Sequence, residues 1–235
     1  MNVLDIIIIL IFILGMYAGF KKGFLKGIIS LIGITLIMFI SFIFRSELAG
    51  ILLKTCPFFT FKGVYKGISS LNILIYEGIA FIIIFMFLFG FLAILLNITG
   101  ILQKLIDKTI VLTIPSKILS IIVGAINALV ITFVMLFMLL NVNTTRKYVY
   151  NSFISKIIME RTVLFSKETS RNYLAYEEIN DVVKTCHDDE DKNKCNIDVT
   201  NTLIKYEVVS KKEVEELIMI GKLKGINRKD LIRYD

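Results

Sequence analysis

The sequence predicts an all-α, polytopic membrane protein with four transmembrane helices, an amphipathic interfacial helix and a small C-terminal helical domain. Three observations predict it. Of 235 residues, 56% are hydrophobic, and the mean hydropathy is +0.75. Apolar runs recur at membrane length, from Val3 to Phe20, Phe24 to Phe44, Gly78 to Leu96 and Ile118 to Leu140. From Asn141 onward the chain turns charged and mixed. A bilayer core about 30 Å thick takes roughly 20 apolar residues of helix, so each run reads as one span. The expected domains are residues 1–141, with spans near 3–20, 24–44, 78–96 and 118–140, and a water-facing helical tail, 142–235.

The first span opens Met1-Asn2-Val3-Leu4-Asp5, without a basic start or a good cleavage site, and its lysines follow the apolar run. That is the pattern of a retained first helix rather than a cleaved signal. Four glycines, Gly15, Gly19, Gly23 and Gly27, then step at four-residue intervals across Lys21, Lys22 and Lys26. Small residues at this spacing let helix backbones approach closely in lipid, where burial of apolar surface drives little association. A single helix over residues 1–44 would measure roughly 66 Å, twice the hydrocarbon thickness. The chain is therefore expected to fold back near Lys21 and Lys22. Gly23 is expected to serve the turn, Gly15 and Gly19 to permit packing, and Gly27 to open the second span. Gly33 in that span is expected to serve helix packing.

Between the second and third spans, roughly thirty residues include Pro57, Phe58, Phe59, Phe61, Tyr65 and Lys66. Aromatic rings beside lysines suit the headgroup layer, so this connection is expected to lie on the bilayer. After the third span, Ile101, Leu102, Leu105, Ile106, Val111 and Leu112 alternate with Gln103, Lys104, Asp107 and Lys108 at helical spacing, which predicts the interfacial helix. Pro115 ends it, and Ser116 is expected to cap the fourth span. In the tail, helices are expected over Asn172 to Thr185, after the capping-box pattern Ser210-Lys211-Lys212-Glu213, and near Arg228 to Arg233.

Polar residues within the spans are few. Asp5 lies in the first turn of the first span and Glu77 at the edge of the third, and both are expected to reach the interface. Asn127 is the strongly polar side chain of the fourth span, expected to hydrogen-bond between helices, with a pore-lining role as the alternative. The chain holds one histidine and no HExxH, GxSxG or GxxxxGK pattern, so no catalytic residue is assigned and the protein is not expected to be an enzyme. Ser30 and Ser41 have no His or Lys placed to activate them and read as packing residues. No cofactor is expected.

The segment from Cys186 to Cys195 gathers two cysteines, His187 and four acidic residues. A structural zinc site wants four clustered ligands with closer cysteine pairs. A calcium loop begun at Asp189 would put Lys194 at its glycine position and Thr200 at its last ligand position. No metal is therefore assigned. A Cys186–Cys195 disulfide is expected if the tail is exported, and reduced thiols if it is cytoplasmic. Basic residues divide six against six between the two sides: Lys21, Lys22, Lys26, Lys104, Lys108 and Lys117 face Arg45, Lys54, Lys62, Lys66, Arg146 and Lys147. The short, lysine-dense first loop favours that loop inside, with both termini outside.

The net charge of +7 is unevenly held: residues 1–141 carry ten of the 27 Lys/Arg and four of the 20 acidic residues. The basic excess belongs to short loops beside anionic headgroups, so the bilayer, other membrane proteins or a second copy of the chain are the expected partners, and nucleic acid is not. Asn2-Val3-Leu4-Asp5, Gly19-Phe20-Lys21-Lys22-Gly23-Phe24-Leu25-Lys26, Ser30-Leu31-Ile32-Gly33, Gly100-Ile101, Ile114-Pro115-Ser116 and Gly124-Ala125 together resemble the colicin V production protein (CvpA) family over residues 1–141. That pattern often has Arg and Glu after its Gly-Phe pair, where this chain has Lys22, Lys26 and Gly27. The resemblance implies a multi-pass bacterial plasma-membrane protein associated with colicin V production or export and with envelope function. The function expected is that of a scaffold or accessory factor, with a small oligomeric transporter or channel as the alternative.

Overall fold

The computed structural model describes residues 2–106, 115–141, 143–161, 166–186 and 191–232. Its helices are α1 (Val3–Lys22), α2 (Phe24–Thr55), α3 (Leu71–Ile106), α4 (Pro115–Asn141), α5 (Asn143–Tyr150), α6 (Phe153–Arg161), α7 (Ser166–Thr185), α8 (Asp191–Lys205) and α9 (Lys211–Met219), with one-turn 3-10 helices at Gly63–Tyr65 and Arg228–Asp230. No strand occurs among the described residues. Among the described residues, four stretches are long and apolar enough to cross a membrane: Val3–Lys22, Lys26–Thr55, Leu71–Leu95 and Lys117–Leu140. The chain is an all-helical, multi-pass membrane protein.

Helix length and apolar length differ, and this shortens the second connection from about thirty residues to residues 56–70. Arg45, Glu47 and Lys54 end the apolar run, but they lie among Leu48, Ala49, Leu52 and Leu53, which all favour helix, so α2 continues to Thr55. Similarly, α3 begins at Leu71, ahead of its apolar run, and runs on through residues 101–106. The remainder of the expected interfacial helix, 107–114, lies outside the described residues. Pro115 occupies the first helical position of α4, where its missing N–H costs nothing. Ser116 is consequently inside the helix and not its cap.

Contacts divide the chain into two compact units: residues 1–43 with 81–158, and residues 44–80 with 159–235. The boundary at Asn141 is one of hydropathy, whereas this grouping is one of packing. In the first unit, α1 ends at Gly23, whose φ of 81° and ψ of 163° lie where essentially only glycine is comfortable. Its N–H closes on the Gly19 carbonyl at 3.2 Å, and α2 begins at the next residue. Residue pairings show that the chain folds back there. Gly15 lies by Ala128 and Gly19 by Ser120, so α1 is antiparallel to α4, whereas Gly27 lies by Val123 and Phe42 by Phe137, so α2 is parallel to it. The unit is centred on Phe42, Phe81 and Phe137, from α2, α3 and α4, with ring centroids 4.6–4.9 Å apart. Edge-to-face and tilted arrangements of this kind add to what burial alone contributes. Around it, Ile6, Leu10, Leu14, Leu36 and Phe87 are exposed, as expected of helices whose solvent is lipid.

In the second unit, Tyr76 Oη donates to the Pro57 carbonyl at 2.6 Å, and Asn72 Oδ1 accepts from the Phe59 N–H at 2.7 Å. The aromatic connection is thereby fastened to the first turns of α3. Asn196 Oδ1 accepts from the Ser70 N–H at 2.9 Å, and Thr200 and Ser70 share a hydroxyl contact, all buried. Glu178 is raised by burial, but hydrogen bonds from Lys205 and Tyr206 outweigh this and hold it below the usual carboxylate range. Ser210 caps α9 by accepting from the Glu213 N–H at 3.2 Å, while the Glu213 carboxylate accepts from the Ser210 N–H at 3.0 Å. The helix expected near Arg228 to Arg233 is only the single turn Arg228–Asp230. Its short sequence offers too few apolar positions to extend it.

Candidate functional site

In the first unit the backbones of α1 and α4 approach closely where the two helices cross. A Cβ placed on Gly15 would stand 2.5 Å from the Ala128 Cβ, and one on Gly19 would strike the Ser120 carbonyl oxygen and lie 2.7 Å from the Gly124 Cα. Reciprocally, a Cβ on Gly124 would lie 2.5 Å from the Gly15 carbonyl oxygen. Backbone opposes backbone, so no side-chain rotation can make room. Gly27 differs, since its nearest neighbour is a methyl of Val123 at 3.0 Å. Gly33 faces the tip of Leu92, a side chain able to turn aside. The partner surface on α4 is also written in the sequence: Ser120, Gly124 and Ala128 repeat a small residue every fourth position. It escapes notice when the glycines of α1 are read alone.

Beside this crossing lies a cavity of about 350 Å³ whose walls come from α1, α2, α3 and α4. At one end are Lys22 and Lys26, next to the hairpin turn; Ser30 and Asn127 follow, and Ile34 and Leu92 are among the apolar walls. Asn127 Nδ2 donates to the Gly27 carbonyl at 3.1 Å and to the Val123 carbonyl at 3.2 Å. The first of these bonds joins α4 to α2. Both acceptors are carbonyls, which fixes the amide orientation and turns Oδ1 away from them. That oxygen is enclosed and accepts no hydrogen bond from the described residues.

Asp5 is 2% exposed, and its carboxylate is taken up by partners within the first unit. Its carboxylate accepts from the Asn2 N–H at 2.7 Å, the Ser152 hydroxyl at 2.5 Å and the Ile154 N–H at 3.2 Å. Ser152 precedes α6 and accepts from the Ser155 N–H at 3.1 Å, making it the local N-cap. Asp5 thus adds a second, tertiary cap, with its negative charge against the positive end of a helix. Asn2 strengthens the tie by donating to the Tyr148 carbonyl at 2.8 Å.

Two expected sites fall in the other unit. Glu77 is 5% exposed, and its carboxylate lies 3.1 Å from Arg45 Nε. This carboxylate too is enclosed, and Arg45 supplies the compensating charge in place of the hydration it has lost. Cys186 and Cys195 are joined as a disulfide, with Cα atoms 6.2 Å apart, linking the end of α7 to α8. His187 and the acidic residues 188–190 between them lie outside the described residues. Cys56 is a free thiol.

Neither the curated proteins nor the solved structures yield a match to this chain. The family model described as colicin V production protein matches residues 4–163, running 22 residues beyond Asn141 through α5 and α6. This extension agrees with the packing, since Tyr148, Ser152 and Ile154 close on Asn2 and Asp5 within the first unit. With 160 of its 235 residues covered by that match, the chain belongs to the colicin V production protein family.

Proposed function

We propose that the protein is a non-enzymatic scaffold or accessory factor of the bacterial plasma (inner) membrane, serving production or export of a colicin V-type toxin or envelope homeostasis. The family description supports the setting. The observation carrying the scaffold role is that conspicuous polar groups of the first unit hold helices together: Asp5 caps α6, and the Asn127 amide bonds to α2. Its partners are the bilayer and, through exposed apolar faces, other membrane proteins or a second copy. In a toxin-producing strain lacking the gene, the wild-type chain should restore toxin release and co-purify with defined membrane partners, while liposomes containing it pass no solute. Solute flux that Asn127→Leu abolishes would replace this reading with a small oligomeric transporter or channel, which the cavity beside Asn127 favours.

The same reading puts the tail on the oxidising outer face. Disulfides persist there and are rare in the cytosol, and the Cys186–Cys195 pair supports it. Four spans return the chain to its starting side, so both termini face outward. An impermeant maleimide added to intact cells should label Cys56 directly, and Cys186 and Cys195 after reduction. Labelling of the reduced tail only after permeabilisation would reverse this topology. Tail protection alongside an accessible Cys56 would contradict an even number of intervening spans.

A further inference from the structure

We propose that α5 and α6 lie in the headgroup layer, with Tyr148, Phe153 and Ile157 inserted among the lipids of the leaflet that the amino end of α1 enters. Val3 opens the first membrane span and Leu140 closes the fourth, and because α1 runs antiparallel to α4 these two ends meet. Where they meet, Val3, Leu4 and Ile7 of α1, Leu139 of α4, and Thr145 and Tyr148 of α5 line an open groove of about 350 Å³. Tyr148, well past the end of the fourth span, is thus still at the edge of the hydrocarbon. Its carbonyl accepts from Asn2, and soon after it Ser152 and Ile154 donate to Asp5 in the first turn of α1. The chain is tied back to the membrane edge twice before α6 begins. Residues 143–158 therefore belong to the membrane surface, and not to the water-facing tail that hydropathy suggests.

Burial along this stretch is the reverse of that on a helix facing water. Ser152 and Ser155 are buried, whereas Phe153 is 75% exposed and Ile157 40%. Four residues apart, Phe153 and Ile157 share one side of α6, while Ser155 and Ile158 are turned inward. The hydroxyls point inward because Asp5 draws them there: Ser152 donates to its carboxylate, and Ser155 donates to Ser152 at 2.8 Å. The large apolar side chains are left on the outside, where only an apolar surrounding covers them. Lipid is that surrounding, because the exposed surface continues that of a membrane span. Val3, Ile6 and Ile7 of α1 are exposed, and the groove carries their surface on to half-exposed Tyr148. Within the groove the Thr145 hydroxyl donates to the Leu139 carbonyl at 2.7 Å, so it is already satisfied. Lys147 Nζ lies over the Tyr148 ring at 5.1 Å, and an aromatic ring with a cation beside it suits the boundary between hydrocarbon and water. Interfacial helices sink their apolar side about 5–10 Å into that boundary, a depth within reach of a phenyl ring.

The chain contains no tryptophan, so a single one introduced into it reports depth. Phe153→Trp and Ile157→Trp, with Leu10→Trp as a reference on the exposed side of α1, can be made in the full chain and reconstituted into liposomes. Three quenchers are compared: phospholipid brominated just below the headgroup, phospholipid brominated near the chain ends, and iodide on both faces of the membrane. Tryptophan at 153 or 157 should lose most of its emission to the shallow bromines, less to the deep ones and little to iodide. Leu10→Trp should respond to deeper bromines than either. Positions 153 and 157 are both exposed, so thermal unfolding of these variants in detergent should match the wild type. Quenching by iodide without a response to bromine would put α6 in water and overturn the proposal. Resistance to both bromine and iodide would show that protein covers this face, and would overturn it equally. None of these outcomes depends on toxin release or on which side of the membrane the termini face.

Discussion

Replacing Gly19 with leucine will separate α1 from α4 and prevent the protein from accumulating as a folded species, whereas Gly27→Ala will leave accumulation close to wild type. At Gly19 the first added carbon already collides with the Ser120 carbonyl oxygen and the Gly124 backbone. The usual cost of overpacking a core, about 1–3 kcal/mol, assumes that side chains can shift. Here the obstruction is helix main chain, which no rotamer change clears, so that figure is a lower limit and the helices must part. At Gly27 the neighbour is a Val123 methyl at 3.0 Å, which can yield by a few tenths of an ångström. Alanine there also recovers about 0.8–1 kcal/mol of helix propensity. The check is membrane accumulation together with thermal unfolding in detergent. Equal, normal behaviour of both variants would refute the division of labour between the two glycines.

The second large effect is expected at Glu77 and Arg45. Glu77→Leu alone should destabilise the protein by about 3–5 kcal/mol, because it removes the carboxylate that faces the enclosed Arg45 guanidinium at 3.1 Å. Arg45→Leu should do likewise by stranding the carboxylate. The double variant Arg45→Leu/Glu77→Leu should recover much of the loss, since an apolar pair of similar volume escapes the desolvation cost that an ion pair carries. A double-mutant cycle in detergent measures this directly. Additive losses in the double variant would show that the two charges do not act as a pair.

The four spans were legible because hydrocarbon thickness sets a length that composition can meet, and the hairpin because one helix could not contain residues 1–44. The ends of the helices were not. Arg45 and Glu77 stop an apolar run, but intrahelical hydrogen bonds continue through charged residues, so α2 and α3 outrun their spans by a turn or more. Helix α8 was overlooked because the cysteines, histidine and acidic residues around 186–195 suggested a turn, although Cys195, Val199 and Leu203 keep helical spacing and are all buried. At the candidate site, Gly15, Gly19 and Asn127 could be singled out from type and spacing, and Ser120, Gly124 and Ala128 could have been by the same rule. The capping of α6 by Asp5 had no such signal. Its partners are single residues almost 150 positions away, and an isolated serine carries no periodicity to betray a tertiary bond.

The α1–α4 crossing also orders events during synthesis. Gly124 emerges 105 residues after Gly19, and at about 5–20 residues per second that interval is roughly five to twenty seconds. For that time α1 resides in the bilayer with its glycine face uncovered by its own chain. Both the crossing and the Asp5 bonds to residues 152 and 154 therefore close late, after the last span has been made. The N-terminal helix, first to enter the membrane, is among the last to find its place.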